Sequence, residues 1–265
     1  MSLDYSNPLV TIITPAYDAE RFIAEAISSV QAQTIENWEQ IIVDDGSSDL
    51  TSQIAKDFAA TDARIKIVRL PRNSGAAVAR NHAIRLARGR FIAFLDSDDL
   101  WHPEKLERQI AYMHDQDAAL CFAAYDIIGE TNRKIGLKRV PSKVQYHDLL
   151  KRNRIGCLTV LYDTQKLGKI DMPLIRKRQD LGLWLKILKR VDHAHGIKDV
   201  LATYRQHKNS LSANKLSAAS YTWRLYRKIE KLAFPVALFF FAHYAFNGVF
   251  RRFEKQSAIR NRLDP

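Results

Sequence analysis

Cysteine is nearly missing: 265 residues hold two, Cys121 and Cys157. Their spacing forms neither a zinc-ligand pattern nor a disulfide framework, and a reducing cytosol suits them best. Met1 to Val10 lacks the basic region and long apolar run of a secretory leader. Also absent are a zinc finger, an RNA-recognition signature and a helix-turn-helix cue, which sets nucleic acid aside as a partner. No internal repeat or low-complexity tract interrupts the chain. What remains is an ordinary globular composition, 46% hydrophobic and 26% charged. The length suits one large domain, or one domain with an extension.

Acidic residues are scarce in one half only. Residues 1–132 carry 12 Lys and Arg against 20 Asp and Glu, whereas residues 133–265 carry 29 against 9. Basic surface at that density attracts polyanions. With nucleic acid set aside, an anionic membrane surface or a diphosphate-linked acceptor remains.

The first hundred residues alternate strand and helix patterns, as in a parallel sheet with crossover helices. Strands are expected over Leu9–Thr14, Trp38–Val43, Ile65–Leu70 and Phe91–Leu95, and helices over Arg21–Gln31, Thr51–Ala60 and Ala76–Ala87. Beyond a helix over Pro103–Asp115 the order loosens. Strands are expected at Leu120–Ala124, Leu158–Tyr162 and Val200–Tyr204, a turn or hairpin over Gly129–Val140, and helices over Leu181–Val191 and Ala218–Leu232. Leu232–Phe250 is apolar and near the length that spans a bilayer, about 20 residues, but Pro235, His243 and Asn247 interrupt it. A packed or interfacial helix is the expectation there.

Chemistry concentrates after the strands. Asp96-Ser97-Asp98-Asp99 follows the apolar run Phe91–Leu95, at the strand end where open α/β sheets bind ligands. Two acids one residue apart can offer oxygens to Mg²⁺ or Mn²⁺, which can share its shell with a diphosphate; an acidic helix start is the competing reading. Three further clusters are Pro15-Ala16-Tyr17, Asp44-Asp45-Gly46-Ser47, and the stretch from Asn73-Ser74-Gly75 to Arg80-Asn81.

In this order, over about Leu9 to Trp101, the motifs resemble the family-2 glycosyltransferases, inverting enzymes of the GT-A fold. The resemblance implies an α/β fold, with a Rossmann-like, mostly parallel sheet flanked by helices and a C-terminal helical extension. It implies a transferase domain over 1–215, with a nucleotide-binding half to about 102 and an acceptor half beyond, and a basic, apolar extension over 216–265. Pro15 and Tyr17 match the first nucleotide loop, and Asp45 the acid that accepts a hydrogen bond from the uracil imide. Gly75 allows close backbone approach, and Arg80 offers a planar donor or else pairs with a rim acid. Asp96, with Ser97 beside it, matches the acid that reaches the ribose, and Asp98 the metal ligand; Asp99 could substitute or assist.

The segment Arg178-Gln179-Asp180-Leu181-Gly182-Leu183-Trp184 resembles the family's acidic motif before a helix. Its first acid is Gln179 here, but Asp180 is retained as the implied base; helix capping is its other reading. Tyr204 to Ser212 resembles a loop that closes over the diphosphate, with His207 as a metal or phosphate contact and Arg205 and Lys208 suited to phosphate oxygens. The Gln-x-x-Arg-Trp motif of processive members is missing, which implies one sugar per encounter. The tail from Ser217 to Phe250 loosely resembles those of bacterial enzymes building surface polysaccharides such as teichuronic acid. The expected activity is transfer from a UDP-sugar, with Mn²⁺ or Mg²⁺, to a hydroxyl of a glycan acceptor on a lipid carrier. The expected place is the cytoplasm, peripheral to the inner face of the membrane. A nucleotidyltransferase is disfavoured, because Pro15-Ala16-Tyr17-Asp18 replaces a glycine-rich phosphate loop. A non-catalytic sugar-nucleotide or membrane-binding module is disfavoured by Asp98 and Asp180 occurring together.

Overall fold

Strands buried on both faces read as near-continuous apolar runs, and the first four strands form where such runs stand. The computed structural model describes residues 7–207 and 215–246. Its first part runs β1 (Val10–Ala16), α1 (Ile23–Gln31), β2 (Trp38–Asp44), α2 (Thr51–Thr61), β3 (Ile65–Arg69), α3 (Ala76–Leu86) and β4 (Phe91–Phe94). β1 lies between β2 and β4, parallel to both, and β3 lies parallel outside β2. Successive side chains on a strand face opposite ways. Ile13, Ile41 and Val43 therefore join Ala79, Ala83 and Ile84 of α3 in one core layer. Ile12 and Ile42 join Ile23, Ile27 and Val30 of α1 in the other.

The second part runs β5 (Leu100–Trp101), α4 (Lys105–Asp115), β6 (Leu120–Ile128), β7 (Lys134–Lys138), β8 (Lys143–Val144) and α5 (Tyr146–Lys151). Then come β9 (Leu161–Asp163), α6 (Thr164–Leu167), α7 (Gln179–Leu188), β10 (Ala194–Arg205) and α8 (Lys215–Arg224). The sheet continues from β4 through β9, β6 and β10 to β5. β9 is antiparallel to both neighbours, whereas β10 returns parallel to β6. The result is the expected α/β architecture, a mostly parallel sheet with helices on both faces.

Three segments differ from expectation, and the turn or hairpin expected over Gly129–Val140 is present. Leu158–Tyr162 divides into a 3₁₀ turn over Cys157–Thr159 and the short β9. The strand expected at Val200–Tyr204 begins at Ala194 and accommodates register shifts between Ile197 and Ala202. Gly129–Val140 holds a hairpin turned at Asn132, whose φ is 61°, with β7 antiparallel to β6. The helix expected to reach Leu232 stops earlier: α8 passes into a π-turn over Leu225–Ile229, and Lys231, at φ 55°, ends it. A further helix covers 234–246. It packs through Ala237 and Phe240 onto the same core layer as Leu149, Trp184 and Tyr226.

Candidate active site

Parallel strands bring their C-terminal ends to one rim, and three of the four clusters arrive there. Beyond β1, the Asp18 N–H donates to Ser47 Oγ (3.0 Å) and the Ser48 N–H to Asp18 Oδ1 (2.9 Å). These bonds lock the first loop to the second and leave the Tyr17 ring 48% exposed at the rim beside Pro15. Asp49 Oδ1 accepts the Thr51 N–H at the start of α2, so Asp45 is not needed as that helix's cap. Asp45 is buried, and its two oxygens accept the N–H groups of Ser74 (2.8 Å) and Gly75 (2.7 Å). Gly75, at φ 96°, makes the turn that aims its N–H at this carboxylate, a conformation L side chains rarely adopt. The third cluster thus reaches the rim tied to the second.

Arg80 enters from α3, buried, and its guanidinium pairs with Asp96. Burial opposes the charge, but Asp96, Cys157 and Asp180 outweigh it and raise the Arg80 pKa. Asp96 is one-third exposed, Ser97 is buried and Asp98 is partly exposed beside them. Asp98 Oδ2 lies 2.8 Å from His207 Nε2, and the His207 ring lies against Phe22 at 5.7 Å. Burial and the Asp96 charge raise the Asp98 carboxyl above the ordinary carboxylate range, with His207 pulling the other way. Asp99 turns inward, 1% exposed, and accepts the Arg205 backbone N–H at 2.9 Å. Burial first, then Asp98 and Asp96, push its carboxyl well up. Its carboxylate is thereby committed to the β10 backbone.

Arg205 corrects an expectation. It is 1% exposed, and its guanidinium donates to Glu25 (2.7 Å), the Asp98 carbonyl (2.9 Å) and Asn132. Its donors go to protein groups because β10 carries it under the acidic loop rather than over a ligand. Lys208, the other residue suited to phosphate, lies outside the described residues.

Asp180 stands in the first turn of α7, where the helix dipole favours a carboxylate. Asp180 Oδ2 accepts a hydrogen bond from Asn153 Nδ2 (3.3 Å). The helix is seated by Gly182: a Cβ there would come within 2.4 Å of Pro173 Cγ. Asp180 contributes to the field at Arg80 and at Cys157, whose thiol burial pushes well up. The rim acids and the expected base therefore share one electrostatic neighbourhood. Asn153, Cys157, Glu25 and Asn132 carry no sequence motif. Asn153 and Cys157 come from the irregular run before β9, and no pattern of spacing pointed to them.

Among the described residues, no group of three or more His, Cys, Asp and Glu side chains gathers as a metal site. One carboxylate and one imidazole, adjacent and partly exposed, fit a hard or borderline divalent cation whose other positions go to diphosphate and water.

An acid-lined rim at the strand ends of a mostly parallel sheet, with Asp180 of α7 in the same electrostatic neighbourhood, is an arrangement suited to group transfer. Residues 11–171 match the family profile described as Glycosyl transferase family 2. The putative teichuronic acid biosynthesis glycosyltransferase TuaG of Bacillus subtilis is 45% identical over 93% of this chain and 98% of its own length. The UDP-Glc:alpha-D-GlcNAc-diphosphoundecaprenol beta-1,3-glucosyltransferase WfgD of Escherichia coli is 42% identical over 81% and 84%. Among solved structures, S. aureus TarS 1-349 in complex with UDP-GlcNAc superposes with a TM-score of 0.70 at 21% identity, over 89% of this chain and 71% of that one. The mannosyltransferase PcManGT from Pyrobaculum calidifontis, in complex with GDP-Man and Mn²⁺, gives 0.65 at 20% identity, over 87% and 66%. The chain belongs to glycosyl transferase family 2, and it is a glycosyltransferase of GT-A fold.

Proposed function

We propose that the protein moves one sugar per encounter from a UDP-sugar to a hydroxyl of a lipid-linked glycan, with inversion at the sugar carbon, in cell-surface polysaccharide synthesis. The observation carrying this reading is the Asp98–His207 pair at the rim, with Asp180 contributing to the field at Arg80, the partner of Asp96. The names of two relatives support the biological setting: one is a teichuronic acid enzyme, and the other uses UDP-Glc and a diphosphoundecaprenol acceptor. We assign residues 1–215 to the transferase body, with its nucleotide half to about 102, and 216–265 to the extension. The free thiols agree with work in the cytoplasm.

Pro15, Tyr17 and Asp45 line the uridine end of the site, and Asp96 and Ser97 its ribose. Gly75 and Arg80 hold this wall: Gly75 ties its loop to Asp45, and Arg80 fixes Asp96. Asp98 and His207 hold Mn²⁺ or Mg²⁺. That cation, when bound, neutralises diphosphate charge and eases departure of UDP. Asp180 takes the proton of the acceptor hydroxyl as its oxygen attacks the sugar carbon from the side opposite UDP. Asn153 orients the Asp180 carboxylate for that transfer.

Calorimetry with UDP and GDP in the presence of Mn²⁺, followed by transfer assays, tests the assignment. UDP is expected to bind more tightly than GDP. Asp98→Ala is expected to abolish cation-dependent donor binding. Asp180→Asn is expected to keep that binding and lose transfer by about 10²–10⁴-fold, the usual cost of removing a general base. Near wild-type transfer by Asp180→Asn places the base elsewhere, and tighter GDP binding overturns the uridine assignment.

A further inference from the structure

The helix at 234–246 reads Phe-Pro-Val-Ala-Leu-Phe-Phe-Phe-Ala-His-Tyr-Ala-Phe, apolar around nearly its whole circumference. A helix hydrophobic on all sides belongs in a core or in lipid. Here only one side is covered. Ala237 and Phe240 are buried, Phe241 packs on Trp223 at 5.3 Å between centroids, and the Tyr244 hydroxyl meets Arg178 Nη2 at 2.6 Å. The opposite side presents Leu238 and Phe239, each at least half exposed, with Ala242 between them, and Phe234, packed edge-on against Trp223 at the flank, leaves 56% of its surface open. Among the described residues no helix is long and apolar enough to cross a membrane.

Charge selects the occupant. The turn before this helix carries Arg224, Arg227, Lys228 and Lys231, all exposed, and the sequence beyond it continues with Arg251, Arg252 and Lys255. Exposed cations leading into an exposed phenylalanine and leucine face match an anionic bilayer surface, where apolar side chains enter the interface and cations meet headgroups. The buried side of the same helix touches Arg178, two residues before Asp180, so the helix is fastened to the segment that leads into α7.

We propose that the outward face of helix 234–246, with Arg224, Arg227, Lys228 and Lys231, docks the enzyme on an anionic lipid bilayer. The purpose of this docking rests on the lipid-linked acceptor reading, because a lipid-anchored acceptor then meets Asp180 without leaving the membrane. The docking itself is independent of that reading and is tested without any acceptor.

The full chain is sedimented with vesicles of phosphatidylcholine alone and with added phosphatidylglycerol, at low and high salt. It is expected to bind the anionic vesicles and to weaken as salt rises. Arg224→Gln and Lys228→Gln are each expected to lower affinity about fivefold, the equivalent of about 1 kcal/mol per basic side chain at a membrane. Leu238→Glu with Phe239→Glu is expected to abolish binding while leaving UDP binding intact, the control for folding. Binding unchanged in both sets of variants overturns the proposal. So does an intact chain that ignores anionic vesicles but forms a dimer which the Glu variants dissociate, since the face then belongs to a second copy. Failure of the acceptor reading alone shows differently: vesicle binding persists, but no prenyl-diphosphate saccharide accepts sugar.

Discussion

Lys105 shows how much one side chain can decide. It opens α4 with its ammonium fully buried, 3.9 Å from the centroid of the Trp101 ring and with no hydrogen-bond partner. Burial pulls its pKa down to about 7, the nearby Cys121 opposing only partly. The unfolded chain holds that proton to about pH 10.4. Between these values the unfolded state binds more protons, so this residue makes stability climb as pH rises from about 7 to about 10. Lys105→Met keeps a linear apolar stem and removes the titration. Its melting temperature is expected to exceed the wild type at pH 7 and to approach it by pH 10. Thermal unfolding across that range checks this; an unchanged slope assigns the titration to another group.

At the scale of elements, the end of β10 organises the site. Arg205 ties that strand to α1 through Glu25, to the β6–β7 turn through Asn132, and to the acidic loop through the Asp98 carbonyl. A lysine has a single nitrogen and cannot serve all three. Arg205→Lys is therefore expected to lower Mn²⁺ affinity about 10–100-fold by loosening the supports of Asp98 and His207. Titration calorimetry with UDP present checks this, and unchanged Mn²⁺ affinity shows that the pair is held otherwise. Neither Glu25 nor Asn132 was legible in the sequence as a partner of Arg205. β1 to β4 were, because each is a short apolar run framed by its own loop and helix, a local signal. The acid clusters were also legible, because strand ends put them on one rim. Leu158–Tyr162 misled because its apolar side chains serve a 3₁₀ turn and a three-residue strand alike. The start of β10 was hidden because His195, Lys198 and Asp199 break the apolar run, and its pairing with β6 defines it. Asp180 could be located by motif, but Asn153 could not: it is brought there by tertiary folding of an irregular segment.

For the molecule as a whole, the sheet joins a locally built half to one that closes over long separations. β1, β2 and β3 each lie beside a strand next to them in sequence, with α1 and α2 as crossovers, and α3 carries the chain back across the sheet to set β4 beside β1. β10 must find β6 across the whole acceptor half, and its Arg205 must meet Glu25 near the other end of the chain. Synthesis delivers residues in order, amino end first. Until Arg205 has emerged, a nascent chain owns every rim acid but lacks the Arg205 backbone N–H and guanidinium that hold Asp99 and the Asp98 carbonyl. Translation halted earlier therefore yields a product that cannot assemble the site. Chains ended at residue 190 are expected to show no UDP binding and faster protease cleavage than the full chain, measurable by limited proteolysis and calorimetry. Tight UDP binding by such a product refutes this order of assembly. Among the described residues the last strand made, β10, thus holds through Arg205 the acidic loop that follows β4, and the rim is finished only when that strand arrives.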